Sequence, residues 1–285
     1  MDIEKAFDNA QTLIKDGHYD KVRPIVDEIA ASADDAFTLL KCASLLKVVD
    51  DEDGCQELLD KVAAIPQNTP EDRLTAAASL RGLGRADDAY GMIKNDDETD
   101  AVLREKAMAL LMMDEGEEAL SKIRKLSSTN AADEILLTNI LCSLGEFREA
   151  YEIASKLVEK ENASYDSLVS LCTVMILMGK NKDAIKTAKR HMKEEKNVNS
   201  LALAAYVMRI NGRIPAAANY AHRAMSMDHT HKGALETMAM CFVEKSRFIE
   251  AKVLAGAINE RTPGDPAAIR ILDACRSAKT DRGRK

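Results

Sequence analysis

The residues that could do chemistry are few and scattered. Five histidines occur, at His18, His191, His222, His229 and His231, and "DHTHK" is the one stretch that brings two close. Two imidazoles two residues apart could share a metal weakly. No third ligand stands near, so they read as exposed linker histidines. The acidic run "VVDDEDGCQELLD" has some look of a calcium loop. With Gly54 as the loop glycine, Asp51, Asp53, Glu57 and Asp60 take places three, five, nine and twelve. Val49 then takes the first ligand place and cannot coordinate. The run reads instead as an acidic hairpin whose carboxylates suit a helix N-terminus. The six cysteines are Cys42, Cys55, Cys142, Cys172, Cys241 and Cys275, with no C-x-x-C pair. Four of them (Cys42, Cys142, Cys172, Cys241) lie inside apolar helical runs. That is the pattern of buried thiols in a reducing compartment, not of a zinc site or a disulfide framework. There is no glycine-rich phosphate loop, no nucleophile elbow and no H-E-x-x-H helix. Acid pairs such as "EEAL" and "KEEK" carry interleaved lysines, as solvated helix faces do. The reading is of a chain with no catalytic constellation, no cofactor and no metal.

The elements that carry these residues are helices. Of 285 residues, 46% are hydrophobic and 31% charged, with no Trp, six Pro and thirteen Gly. Such a composition folds, and its Ala, Leu, Met, Glu, Lys and Asp favour helix over strand. No apolar run reaches the ~18–20 residues of a membrane span. The start "MDIEKAFDNA" lacks the basic and apolar stretches of a signal peptide, so a cytoplasmic protein is expected. Charge is uneven. Residues 1–100 carry 23 acids and 11 bases, residues 101–200 carry 16 and 15, and residues 201–285 carry 8 and 14. That asymmetry could steer a partner, promote head-to-tail contact between copies, or reflect drift in solvated surface charge.

The strongest signal is a period. "LGEFREA" places Gly145, Phe147 and Ala150 between two helical runs. The same spacing recurs in "DGHYDKV", "LGRADDA", "MGKNKDA", "NGRIPAA" and "KSRFIEA", and more loosely in "DDEDGCQ" and "DEGEEAL". Turn positions fall near 17, 51, 84, 114, 145, 179, 212 and 246, about 30–34 residues apart. Seven residues before each turn stands Ala10, Ser44, Ala77, Ala107, Thr138, Cys172, Ala205 or Ala239, all small. Small residues at fixed places let two helices approach where their ridges cross. A glycine takes the positive φ that ends the first helix. One helix pair cannot bury its apolar face alone, so neighbouring pairs must stack.

This pattern resembles the tetratricopeptide repeat (TPR) family, in divergent form. The family pairs a small residue in the first helix with a Gly-x-aromatic turn and an alanine early in the second helix. The resemblance implies an all-α fold, a right-handed α-solenoid of about eight antiparallel helix-turn-helix repeats over residues 3–265. A C-terminal capping helix, 266–278, and a disordered basic tail, 279–285, complete the expected layout. "NTPEDRL" and "TPGDPAA" carry start signals, with Thr69 and Asp265 as caps and Pro70 and Pro266 at the first helical position. Pro24 requires the first repeat's second helix to start late or to kink.

The resemblance also implies that first helices line a concave groove where partner peptides lie. In this numbering the groove candidates are Leu45, Met108, Met112, Ile135, Asn139, Val169, Thr173, Leu177, Tyr206, Arg209 and Met240. The paired Lys and Asn clamp for a peptide carboxylate is absent, because the places beside Asn139 hold Ile135 and Ser170. A methionine-rich, mostly apolar face suits an apolar or amphipathic segment. The expected function is a non-catalytic scaffold that binds a protein or peptide partner. The alternative is a self-associating structural module of a larger assembly. An RNA-binding or enzymatic solenoid ranks below both, since pI is about 5.4 and no basic residue recurs at one repeat position.

Overall fold

The computed structural model describes residues 2–33, 35–65, 69–159, 163–262 and 265–283, with side chains in the last stretch as far as 278. All regular structure among the described residues is helical. Eight first helices alternate with eight second helices. The first helices are α1 (Ile3–Lys15), α3 (Ala36–Val48), α5 (Pro70–Gly82), α7 (Asp100–Met112), α9 (Ala131–Ser143), α11 (Tyr165–Leu177), α13 (Val198–Ile210) and α15 (Lys232–Glu244). The second helices are α2 (Val22–Ser32), α4 (Glu52–Ala64), α6 (Ala86–Ile93), α8 (Gly116–Ile123), α10 (Phe147–Glu159), α12 (Asn181–Glu195), α14 (Ile214–Met227) and α16 (Phe248–Arg261). A last helix, α17, spans Pro266–Gly283. It runs past the expected end at 278, so the stretch 279–283 expected to be disordered has helical backbone. Residues 284 and 285, and Pro263 between the last repeat and α17, lie outside the described residues.

Each first helix ends in the same way. Positive φ occurs at Gly17, Asp50, Gly84, Asp114, Gly145, Gly179, Gly212 and Ser246. At every one, the next N–H reaches back to a carbonyl five residues earlier, as Glu146 N–H does to Leu141 (2.8 Å) and Arg247 N–H to Phe242 (2.8 Å). This is the Schellman closure, which satisfies carbonyls that the helix end leaves open. The second turn lies at Asp50, one residue before the expected 51. The shift changes the second repeat's register: Ala43, not Ser44, takes the small place, and Cys55, not the exposed Gln56, takes the alanine place. With that correction, Val22, Cys55, Ala89, Ala119, Ala150, Ala184, Ala217 and Ala251 are all at most 1% exposed, which is where the two helices of each hairpin touch. Phe147, the aromatic after the fifth turn, is half-buried in its hairpin.

The first helices also begin in one way. Fifteen residues before each turn residue stands Asp2, Asp35, Thr69, Thr99, Asn130, Ser164, Asn197 or His231. Each side chain accepts the backbone N–H three residues on, from Lys5, Thr38, Asp72, Val102, Asp133, Ser167, Ser200 and Ala234 respectively. Such caps are worth about 1 kcal/mol each. Of the eight, only Thr69 is marked as a cap by its neighbours, through the proline that follows it. The whole series is legible at that spacing once the second turn is set at 50. Pro24 sits in the third place of α2, after a short 3-10 turn at Tyr19–Lys21, so the helix starts late and no hydrogen bond is lost.

The chain forms two compact units, Met1–Met92 with Phe242–Lys285, and Ile93–Cys241. In the first unit, α16 packs on α1 and α3, and α17 packs on α3 and α16. Nine of the thirteen residues of α3 are buried, which fits a helix covered on all sides. Acidic and basic ends of the chain therefore meet within one molecule. Lys252 pairs with Asp50, Arg276 with Glu52, and Lys15 with Glu260 (2.8 Å). Three of the four carboxylates of the supposed calcium loop are engaged likewise, Asp60 with Arg85 (3.0 Å). Asp51 caps α4 through Gly54 N–H (2.9 Å) and binds Arg23 (2.8 Å), and Glu57 also reaches Arg23 (3.2 Å). The Arg23 guanidinium lies where a Cβ on Gly54 would stand.

The second unit begins at the end of α6. Two second helices, α6 and α8, are short, with eight residues each. They account for the 30- and 31-residue spacings. A polar network lies beside α8. Asp100 accepts from Ser127 N–H (3.0 Å) and its hydroxyl (2.8 Å), and Glu98 pairs with Lys122 (2.6 Å) and Lys125 (2.8 Å). The contact with Lys122 first, then Lys125, holds the Glu98 carboxyl at a pKa of about 2.

Candidate partner-binding face

In the second unit, α7, α9, α11 and α13 pack side by side as consecutive first helices. Residues ten, six and two places before each turn lie one helical turn apart and share one face. Three levels of that face differ in what they leave open.

At the outer level, two places before the turn, Met112 is 53% exposed, Leu177 49% and Ile210 40%, while Ser143 stands between them in the order of repeats and is exposed. Ile210 and Ser143 were not among the sequence candidates, although they occupy the same repeat place as Met112 and Leu177. At the middle level, Asn139 is exposed and Met108 and Met240 are half-buried. Thr173 and Tyr206 are hydroxyl to hydroxyl at 2.8 Å, and Thr173 also donates to the Val169 carbonyl. Both are half-buried, and Tyr206 packs on the core of α11–α13. Burial raises the Tyr206 pKa against a lowering contribution from Thr173. Arg209, one turn along α13, is half-buried. At the inner level, Ile135 and Val169 are half-buried, and Val169 packs into the same core.

The inner level at α13–α15 is filled by the chain itself. Tyr165, at the start of α11, packs with Leu201, Ala202 and Ala234 and meets the His231 ring edge-on at 5.1 Å. Gly233 has no side chain, and the Tyr165 ring takes the space a Cβ would need. Burial pushes the Tyr165 hydroxyl pKa up.

One sequence candidate falls elsewhere. Leu45 belongs to α3 in the first unit and is 4% exposed. Its face is covered by α16, leaving an apolar pocket of about 120 Å³ lined by Gln11, Ile14, Leu45, Val48, Val253 and Gly256 among others. Leu45 is therefore wall, not open groove. Leu45 stands on a first helix, as the period requires, but a helix more than 200 residues later packs over it, and no period encodes that contact.

The linker histidines also differ from expectation. His229 is exposed, but His231 is half-buried. Its Nδ1 accepts from Ala234 N–H (3.2 Å) as the α15 cap, so its Nε2–H donates to Asn199 Oδ1 (2.9 Å). That pattern needs the neutral ring, and burial lowers the pKa against the raising influence of Asp228. The sign follows from linkage. The folded state binds the proton less readily than the unfolded chain, so stability is full above about pH 6.5 and falls as pH drops below it. Exchange of the Ala234 amide, corrected for its intrinsic rate, should be less protected at pH 5.5 than at pH 7.5. In His231→Asn, which keeps a cap without a titrating ring, that difference should shrink; an unchanged difference would refute the assignment.

Chemically, the face offers apolar side chains, the Asn139 amide, the hydroxyls of Ser143, Thr173 and Tyr206 and the Arg209 guanidinium. Burial pushes the thiols of Cys42 and Cys172 up to about 12 and of Cys55 to about 11, so they are poor nucleophiles at neutral pH. No disulfide joins any of the six cysteines. Among the described residues, no group of three or more His, Cys, Asp or Glu could hold a metal ion, and no helix is long and apolar enough to cross a membrane.

No protein-family model matches the sequence, and no curated protein matches it. Solved structures do. A tetratricopeptide repeat protein from Parabacteroides merdae ATCC 43184 aligns over 84% of this chain and 98% of its own, at 12% identity and a TM-score of 0.50. A thermophilic TPR protein of Thermus thermophilus aligns over 72% and 98%, at 16% identity and a TM-score of 0.40. The P58(IPK) TPR domain aligns end to end at 14% identity and a TM-score of 0.35. At 12% identity the likeness to the first of these is one of fold alone. The chain is an all-α helical-repeat protein with the tetratricopeptide-repeat fold, in divergent form.

Proposed function

We propose that the protein is a non-catalytic interaction scaffold of the cell interior, and that the first-helix face of the second unit binds an apolar or amphipathic segment of a partner protein. The observation that carries this reading is the row of Met112, Leu177 and Ile210, each at least 40% exposed and all at one repeat place. Large apolar side chains recurring in register on one face mark an interaction surface, whereas singly scattered ones do not. Asn139 and Ser143 add polar groups that could fix a partner's backbone. The remaining sequence candidates on this face, Met108, Ile135, Val169, Thr173, Tyr206, Arg209 and Met240, would form its floor.

The test uses Met112→Glu, Leu177→Glu and Ile210→Glu together, at positions exposed enough to leave the fold intact. Helical binders selected from a displayed library of amphipathic peptides against the native chain should lose tenfold or more affinity for the variant, about 1.4 kcal/mol or more. Binders that hold both chains equally would sink the face. A chain from which no peptide can be selected would favour the self-associating reading, which sedimentation at low salt would then examine.

A further inference from the structure

We propose that the outward face of α12 is a second docking surface, for an acidic segment of another protein. α12 holds to its neighbours through Ala184 and Ala188, both fully buried. Opposite them stand Lys182, Lys186, Lys189, Arg190 and Lys193, all exposed. At about 100° per residue these five fall within an arc of about 100°, and they extend about 16 Å along the axis. Asp183 and Glu194 flank the arc and do not enter it.

None of the five makes an ion pair among the described residues. Other exposed cations of the same unit do: Lys125 with Glu98 (2.8 Å) and Arg124 with Glu149 (3.0 Å). Like charges three and four residues apart destabilise a helix by a few tenths of a kcal/mol per pair. The stripe contains five such pairs against two of opposite sign, Asp183 with Lys186 and Arg190 with Glu194, so α12 carries a net repulsion that an anionic occupant would relieve.

The occupant's class follows from what surrounds the charges. No large hydrophobic residue of α12 is exposed, so the face has no apolar wedge for a bilayer. It presents no exposed aromatic ring on which bases could stack. The chain's net charge is −7, which opposes a long polyanion. A short acidic peptide senses mainly the local field, because screening acts within about 8 Å at physiological salt.

The experiment measures fluorescence anisotropy of a labelled twelve-residue peptide of glutamate, aspartate and serine against the full chain at about 150 mM salt, the physiological range. A uridine RNA of equal length and phosphatidylserine vesicles serve as rival ligands. The peptide should bind, weaken as salt rises, and lose tenfold or more affinity in Lys186→Glu/Lys189→Glu/Lys193→Glu. The glutamine counterpart, which keeps helix propensity, should weaken it in the same direction. A variant with Arg148→Glu and Lys156→Glu on α10 should bind within twofold of the native chain. The proposal is overturned if the native chain does not bind the peptide, if the α12 variants bind it within twofold, or if RNA or vesicles bind more tightly.

Discussion

Asp133→Ala should lower the stability of the second unit by about 2–3 kcal/mol, the largest effect expected of a single polar substitution there. Asp133 is 3% exposed. It receives Arg104 through two hydrogen bonds, Nε–H to Oδ1 at 2.6 Å and Nη2–H to Oδ2 at 3.0 Å, which tie α7 to α9. It also accepts Asn130 N–H (3.0 Å), while Asn130 accepts Asp133 N–H (3.1 Å). That is a capping box, worth about 1 kcal/mol. Breaking a buried pair costs about 3–5 kcal/mol, and Arg104 is 29% exposed, so the pair's share is discounted.

Burial raises the Asp133 pKa, but the Arg104 and Asn130 bonds and the Arg104 charge outweigh it and hold the carboxyl below its usual range. Stability from this group is therefore present above about pH 4 and is lost as pH falls through the folded value. Urea unfolding followed by circular dichroism should show the midpoint fall by about 1–1.5 M, with a slope of about 2 kcal/mol/M. A cycle with Arg104→Ala should show strong coupling between the two. A loss under about 1 kcal/mol would mean that the bidentate pair does not fasten these repeats.

Ending the chain after Arg261 should cost the first unit about 5 kcal/mol or more. α17 buries Ala267, Ala268, Ile269, Ile271, Leu272 and Cys275, with Ile271 and Leu272 fully enclosed. Burial of each large apolar side chain is worth about 1.5–3 kcal/mol. The truncation also strips Glu52 of Arg276 and leaves Lys47, whose side chain is 8% exposed, without Asp273. The informative readout is local. Amide protection in α3 should fall steeply although the cut lies more than 200 residues away in sequence. Unchanged α3 protection would show that α17 is an ornament on α16 alone.

The period is legible because turn chemistry and helix crossing each demand a residue type at one place. Gly145, Ala107 and Ala150 announce the repeat without any structure. Asp50 is harder. It adopts positive φ without being glycine, and its neighbour Asp51 is acidic too, so spacing alone puts the second turn one residue late and brings Leu45 into the groove. The caps at Thr99, Asn130 and Ser164 are visible in type, but their register becomes plain only when it is counted back from a correct set of turns.

The sequence by itself determined the helical pairs, their spacing and the small residues where they touch, since these obey local rules of backbone and side-chain volume. Tertiary structure alone decided which faces stay open. Tyr165 fills the space above Gly233, Arg104 turns to Asp133 instead of to a partner, and α16 and α17 cover α3. Each of these joins side chains from different helices, and the repeat period does not say which side chains meet. Long-range packing is selected by the total fit of surfaces and charges, and no single stretch of chain encodes it.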